Sequence, residues 1–397
     1  MTREDIGITG PDLKAVRDSA ESALNFWSRY GADSDGGFNA KLNGDGTPYE
    51  SATRSVVAAA RFVTNFSVGS TVFGSPDYRQ SAVAALRYLG RQFYDSVNGG
   101  YYWTIRDGQP ADTRKLAYGH AFVLLAHANA VKAGLDDAPD QLRATIDLVE
   151  RRFFSESTMC WDTSDADWTN IGLLRSNNPN MHFCEALIAT YEASGDDRHL
   201  DHALGIARVI AQQATKAGNP IWENYDLNWN ALADAPAGVD RNSMQSRFAA
   251  LPGHLAEWAK LLSVLHTHSN EQWLIDAAIA QYHLAWQLGW DAEQGGFYGG
   301  IDASGNVAWP EKPYWAPPEA LGAAANLSRI TGDASYAQDM HELWNYMSRA
   351  MADPERGGWY KTPDLSGHRS QFAKGDDHDP DYHALGGCWE VLNVAHG

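Results

Sequence analysis

Two kinds of helical segment alternate along the chain. Segments such as "ATRSVVAAARFV", "YGHAFVLLAHANAV", "NMHFCEALIATYEA" and "PGHLAEWAKLLSVL" are apolar around most of their circumference, as a helix covered on both sides must be. Each precedes a more amphipathic partner, as in "YRQSAVAALRYLGRQFY", "LDHALGIARVIAQQA", "WLIDAAIAQYHLAWQLGW" and "YAQDMHELWNYMSRAM", which keeps a charged face for water. The stretch "NPNMHFCEALIATYEASGD" shows the local grammar. Asn180 is the expected N-cap, Phe183, Ala186, Leu187 and Tyr191 recur at helical spacing with the small Thr190 between them, and Gly195 with Asp196 ends the helix.

Ahead of these helices lie turn-rich aromatic segments that read as short β-hairpins. They carry Phe38, Tyr101, Trp161, Trp222, Phe297 and Trp359, at intervals of 63, 60, 61, 75 and 62 residues. Six hairpin-helix-helix units thus occupy the chain with almost no linker, so residues 1–397 are read as one all-α domain. The expected closure is an (α/α)₆ barrel of six inner and six outer helices, with the hairpins at one mouth. A solenoid of six helical hairpins is the alternative.

The same period recurs in polar side chains. Arg54, His120, His182, His254, Glu319 and His383 stand at or near the starts of successive inner helices, 66, 62, 72, 65 and 64 residues apart. A lone histidine on an apolar stripe is ordinarily a hydrogen-bonded core residue. Six polar groups buried at one level carry a desolvation cost that core packing does not explain, so the register points to a site at the barrel mouth. His182 with Glu185, and His254 with Glu257, share a His-x-x-Glu spacing that puts a carboxylate on the same helix face as the imidazole, where it can orient the ring. The order is the reverse of the Glu-x-x-His of carboxylate-bridged metal sites, and no metal is expected.

Composition narrows the partners. A net charge of −19 opposes binding to nucleic-acid backbones or anionic lipid, and no run of about 18 uncharged apolar residues suggests a membrane span. The charged start "MTREDIGITGPD" is unlike a signal peptide, and Cys160, Cys184 and Cys388 are scattered without metal-ligand spacing. A cytoplasmic location is therefore expected, and assembly into a homo-oligomer is left open. No Gly-rich phosphate loop, Rossmann fingerprint or nucleophile elbow occurs, so no cofactor is expected.

The motifs "NPNMHFCEAL", "PGHLAEWAKLL", "YWAPPEAL" and "DYHALGG", in this order and at barrel spacing, resemble the N-acylglucosamine 2-epimerase superfamily over nearly the whole chain. "DTRKLAYGHAFVLLAHA" is most similar to its mannose isomerase and sulfoquinovose isomerase branch. The resemblance implies a barrel whose members shift a proton between adjacent carbons of a free monosaccharide without metal or organic cofactor. It implies His254 and His383 as the acid/base pair, and Arg54, Asn178, His182, Glu257 and Glu319 as pocket residues, with His120 and Trp315 completing the substrate-binding set. The epimerase branches carry a histidine where this chain has Pro317 and an arginine after the last histidine, which "HALGG" lacks; both departures favour isomerisation. Arg247 stands one place out of step with a family arginine.

An imidazole is poised near neutral pH to take a proton from the carbon beside a carbonyl, and a permanently charged guanidinium, here Arg54, suits the enediolate oxygen. The expected activity is interconversion of D-mannose and D-fructose through a cis-enediol. Sulfoquinovose isomerisation, with Arg175, Arg241 and Arg247 as candidate sulfonate ligands, and sugar 2-epimerisation are the alternatives within the family. An inverting glycoside hydrolase using two of Glu185, Glu257 and Glu319 comes from a different reaction class, and a non-catalytic protein-binding role from another.

Overall fold

The structure, a computed structural model, describes residues 11–154, 157–233, 247–361 and 373–396. Its inner helices are α2 (Val56–Phe73), α4 (Ala117–Lys132), α6 (Asn177–Ser194), α9 (Pro252–Ser269), α11 (Ala316–Thr331) and α13 (Tyr382–His396). The outer helices are α1 (Leu13–Phe26), α3 (Pro76–Phe93), α5 (Ala138–Arg152), α7 (Asp197–Ala207), α10 (Gln272–Gly289) and α12 (Ala334–Ala350); a π turn over Arg208–Gln212 extends α7 into α8 (Gln213–Lys216). Each inner helix packs against the next, and α13 returns to α2, which closes a barrel and excludes the solenoid.

Burial follows the two sequence patterns. Every residue of α4 from Gly119 to Ala130 is buried, whereas α3 buries Tyr78, Ala82, Ala85, Leu86, Leu89 and Phe93 along one stripe. Helix α2 is long and apolar enough to cross a membrane by composition, yet 72% of it is buried within the protein and it carries Arg61. The links between inner and outer helices are short because an αL residue ends one helix and the next begins at once. Gly74, Gly195 and Gly332 do this with φ of 64°, 70° and 69°, and Asn270 does it with 56°. Ser75, Asp196 and Asp333 then cap the outer helices with their side chains.

Two expectations change. The sixth hairpin leads into α13, and the outer helix packed on α13 is α1 from the other end of the chain, so the ring is sealed by elements far apart in sequence. Trp27 marks this seam, donating its indole N–H to Asp381 at 2.8 Å across 354 residues. The N-cap of α6 is Ser176, not Asn180, because Asn180 turns inward and accepts the backbone N–H of Cys160 at 2.9 Å.

The hairpins are shorter than regular strands and are organised by their turns. Small antiparallel ladders form between β1 (Thr53–Ser55), β2 (Thr104–Arg106) and β3 (Gln109–Asp112), between β4 (Lys115–Leu116) and β5 (Thr163–Ser164), among β6 (Arg175–Ser176), β7 (Asn224–Tyr225) and β8 (Ala231–Leu232), and between β9 (Gly300–Ile301) and β10 (Val307–Trp309). Asp95, Asp291 and Asp353 each open a turn, folding their carboxylates over amides two and three residues on. Each turn ends in a Gly-Gly pair with positive φ. Glycine is required at Gly100, where φ is 78° and a Cβ would lie 2.7 Å from the Trp168 ring and 2.9 Å from His120.

Each of these aspartates also holds a buried cation 20 or 21 residues later: Lys115 on Asp95 at 2.8 Å, Lys312 on Asp291 at 2.7 Å and Lys374 on Asp353 at 2.7 Å. Asp33 and Arg54, 21 residues apart, form the same pair in the first unit. One ion pair thus ties each of four hairpins to the strand or loop that follows it.

Burial alone would raise these three carboxyls, but the lysine bonds and turn amides outweigh it and hold Asp95, Asp291 and Asp353 at about 2. A carboxyl depressed on folding contributes stability above its unfolded value near 3.8, and that contribution is lost as pH falls toward the folded value. Thermal unfolding should therefore fall steeply between about pH 4 and 2, with a shallower slope in Asp95→Asn. Lys115→Met, which strands a buried carboxylate, should cost about 3–5 kcal/mol in denaturant unfolding at pH 7; a loss within error of zero would refute the pinning role.

Candidate active site

The first two turns of the inner helices converge on one polar layer. His254 on α9 is buried, and its Nδ1–H donates to Glu223 Oε1 at 2.8 Å. Glu223 is fully buried just before β7, where Asn177 also donates to it at 3.3 Å, and Trp258 in turn holds Asn177 at 2.7 Å. On α13 the Nδ1–H of His383 donates to Glu319 Oε1 at 2.7 Å, and Glu319 Oε2 lies 2.5 Å from the Lys260 ammonium. Both histidines therefore carry a proton on Nδ1, which leaves Nε2 as the nitrogen that exchanges protons. The Trp315 ring lies between them, its centroid 5.0 Å from that of His254 and 5.9 Å from that of His383.

His182 on α6 pairs with Glu185 at 3.0 Å, as their spacing predicts. The second His-x-x-Glu pair behaves differently. Glu257 does not hold His254; it lies 3.7 Å from His182, and both of its oxygens are buried without a hydrogen-bond partner. Burial and the nearby Glu319 push its carboxyl well above the ordinary carboxylate range, so it is protonated and can donate. Asn178 Oδ1 is likewise buried and unpartnered. Burial holds His182 at about 4 and lowers His383 as well, so both rings are neutral at neutral pH.

Two site residues expected from the sequence lie elsewhere. Arg54 belongs to the first hairpin's ion pair with Asp33, so it is a pinning cation like Lys115 and not a wall of the site. His120 has both ring nitrogens committed: Nδ1 donates to Leu116 O at 2.8 Å and Nε2 accepts the Tyr101 N–H at 3.0 Å. With its ring packed on Phe153 and its proton affinity driven by burial down to about 3, it fastens the second hairpin to α4.

The guanidinium in the layer is Arg61, seven residues beyond Arg54 in α2. Its Nη2 lies 3.2 Å from His383 Nε2 and 3.2 Å from the Tyr118 hydroxyl, its Nη1 is 3.8 Å from Asp379, and it stacks on Phe122 and Tyr382. Sequence register pointed to the start of the segment and so selected Arg54; an arginine in the midst of "VVAAARFV" was the signal available. Lys260, at i+3 from Glu257, and Glu223 in "NPIWENYDLNW" were also missed. A hairpin carboxylate 31 residues before its histidine has no periodic signature.

His182, Glu185 and Glu257, and Glu257, Glu319 and His383, each bring ligand atoms within 4.8 Å of one another, close enough to hold a metal ion. The charges of Arg61 and Lys260 in the same layer oppose a further cation there. The arrangement suits proton transfer: two imidazoles each held at Nδ1 by a carboxylate, a carboxyl whose proton affinity is raised, a fixed guanidinium and an aromatic face for a sugar ring.

Known proteins resemble this chain in sequence and fold. A family model described as N-acylglucosamine 2-epimerase (GlcNAc 2-epimerase) matches residues 36–387. A D-mannose isomerase of Marinomonas mediterranea is 33% identical over 377 residues, spanning 94% of this chain and 95% of that protein. The crystal structure of a D-mannose isomerase superposes with a TM-score of 0.89 at 31% identity, covering 97% of this chain and 99% of the other. A cellobiose 2-epimerase from Bacillus thermoamylovorans shares the fold, with a TM-score of 0.84 at 20% identity over 96% and 98% of the two chains.

His120→Leu should lower stability by about 1–3 kcal/mol, because it strands the buried Tyr101 N–H. Glu223→Gln should instead leave the melting temperature nearly unchanged and lower turnover on the order of 100-fold by loosening His254. Denaturation curves beside steady-state kinetics separate the two roles; a reversed pattern would contradict both assignments.

Proposed function

The chain belongs to the N-acylglucosamine 2-epimerase family, and we propose that within it this protein is a sugar isomerase that interconverts D-mannose and D-fructose. The observation that carries the reading is the pair of buried imidazoles, each held at Nδ1 by its own carboxylate and both in ring contact with Trp315. The similarity to D-mannose isomerases over nearly the whole of both chains supports the substrate.

His254 moves the hydroxyl proton that opens the pyranose ring. His383 Nε2 then takes the proton from C2 of the open-chain aldose, and the electron pair of that C–H bond forms the C1–C2 double bond as the carbonyl oxygen becomes an enediol oxygen. Arg61 stabilises the charge on that oxygen, the part the sequence reading gave to Arg54. His254 delivers a proton to that oxygen and takes one from the C2 hydroxyl, and return of the carbon proton from His383 to C1, as the C2 oxygen becomes the carbonyl, gives the ketose. Glu257, Asn178 and His182 hold the sugar hydroxyls, the first as a donor.

The similarity to D-mannose isomerases over nearly the whole of both chains favours a neutral sugar over an anionic one. Of the candidate sulfonate ligands, Arg175 spends Nη1 on the carbonyls of Gly172 and Leu174 and Arg247 is exposed, while Arg241 lies outside the described residues.

Incubation of the chelator-treated protein with D-mannose in D₂O should yield D-fructose carrying deuterium at C1, read by NMR. Deuterium at C2 of an aldose would identify an epimerase, and loss of all turnover on chelation would refute metal-free chemistry. His383→Ala should lower kcat at least about 1,000-fold with its fold intact; unchanged turnover would sink the mechanism.

A further inference from the structure

Among the described residues, Lys260 is the one buried ammonium beside this layer whose partners are themselves histidine holders. Its Nζ lies 2.5 Å from Glu319 Oε2 and 3.9 Å from Glu185 Oε1. Glu319 holds His383 Nδ1, and Glu185 holds His182 Nδ1 while accepting the Tyr382 hydroxyl at 2.6 Å. A single cation on α9 therefore joins α6, α11 and α13 through two carboxylates.

We infer that Lys260 is a positioning residue that keeps Glu319 ionised and thereby fixes His383 in the tautomer with an unprotonated Nε2. The inference rests on the reading of His383 as the carbon base. Geometry leaves one consistent proton arrangement around that ring. Arg61 has only hydrogens to offer, so Nε2, 3.2 Å from Arg61 Nη2, accepts, and Nδ1 carries the proton and donates to Glu319. The arrangement fails if Glu319 is protonated, because a carboxylic acid donates to Nδ1 and shifts the ring hydrogen to Nε2, where it faces Arg61 and cannot take a proton from carbon.

The groups around Glu319 pull in opposite directions. Burial and Glu390 on α13 favour the neutral acid, Lys260 and His383 favour the anion, and Glu257 on the same helix as Lys260 faces it as the protonated partner. On the histidine side, burial and Arg61 from α2 oppose a charged ring, and Glu319 and Asp379 favour it; Tyr382 and His182 complete the surroundings. Among the described residues Lys260 is the cation within bonding distance of Glu319, and Glu319 with Glu185 on α6 outweighs burial and raises its proton affinity.

A cavity of about 250 Å³ reaches this ammonium from the far end of the barrel. Lys260, Glu185, Glu319, Tyr382, Asn129 and Glu390 line it, among other residues of the C-terminal halves of the inner helices. Truncating Lys260 thus leaves a gap that connects to the cavity and that a small primary ammonium ion can enter.

The test is Lys260→Ala, with Lys260→Arg and the near-isosteric Lys260→Gln beside it. In Lys260→Ala, kcat at pH 7 should fall on the order of 100-fold with KM changed by less than about threefold, and the acidic limb of the kcat profile should move up by about one to two pH units. Lys260→Arg should keep most of the activity, and propylammonium chloride, but not tetramethylammonium chloride, should restore Lys260→Ala by about tenfold or more. Nitrogen-15 histidine NMR without substrate, with His383 assigned by its loss in His383→Ala, should show Nδ1–H in the wild type and Nε2–H in Lys260→Ala. Should Lys260→Ala fail to fold, Lys260→Gln carries the same NMR and pH-profile tests. A uniform loss across pH with no movement of the limb, or an unchanged tautomer in the neutral variant, overturns the inference. Absence of isomerisation by the wild type overturns the functional reading instead, and leaves the tautomer measurement standing.

Discussion

Charge removed from water must be matched by charge, and the barrel is organised around that obligation. At the N-terminal ends of the inner helices, Arg61, Lys260, Glu223, Glu319 and Asp379 are all buried, and each lies within bonding or ion-pair distance of a partner on a different element. An unpaired ion at this depth would cost several kcal/mol, so the helices must register correctly against one another before the layer is tolerable. The catalytic geometry and the requirement that the barrel close in one register are therefore the same constraint. Glu257 is the exception: burial and Glu319 raise its proton affinity, and its carboxyl oxygens have no hydrogen-bond partner among the described residues.

The hairpins solve a related problem with a repeated device. An aspartate that folds over its own turn and accepts a cation 20 or 21 residues on converts a two- or three-residue ladder, too short to be stable alone, into a rigid rim. The third and fourth units carry a different turn, in which Asp165 accepts amides four and five residues on and Asp226 accepts amides two and four residues on, as Asp302 does in the fifth unit. Trp168 and Trp229 adopt φ of 66° and 62°, held by Asp165 and Asp226, which accept several amides of the turn. The aromatic count of the chain thus reflects the rim and core as well as any sugar contact.

The architecture was legible because it repeats. A period near sixty residues, written in both apolarity and turns, specifies six units, and six such units close into a ring. The site was legible only where it obeys that period. His182, His254, Glu319 and His383 stand where the register puts them, and the pairing of His182 with Glu185 follows from helix geometry. Arg54 obeys the period for a different reason, since the period also places the rim cations, and His120 obeys it because a hairpin amide needs an acceptor. Arg61, Lys260 and Glu223 depart from the register or lie on a hairpin. Their roles depend on which helices become neighbours, information that exists only after the ring has closed.

The seam of that ring gives the molecule an internal dependency. His383 sits on the one inner helix whose outer partner comes from more than 350 residues away, and the Trp27–Asp381 bond belongs to the contacts of highest sequence separation in the fold. Contacts of that kind carry the largest loop-closure entropy, form late and open early. The base of the proposed mechanism is thus mounted on the element whose docking completes the fold. Under that mechanism, a chain with its other five units in place has the rim, the pocket wall and His254 but no means of moving the carbon-bound proton, so chemical competence and topological completion arrive in one step.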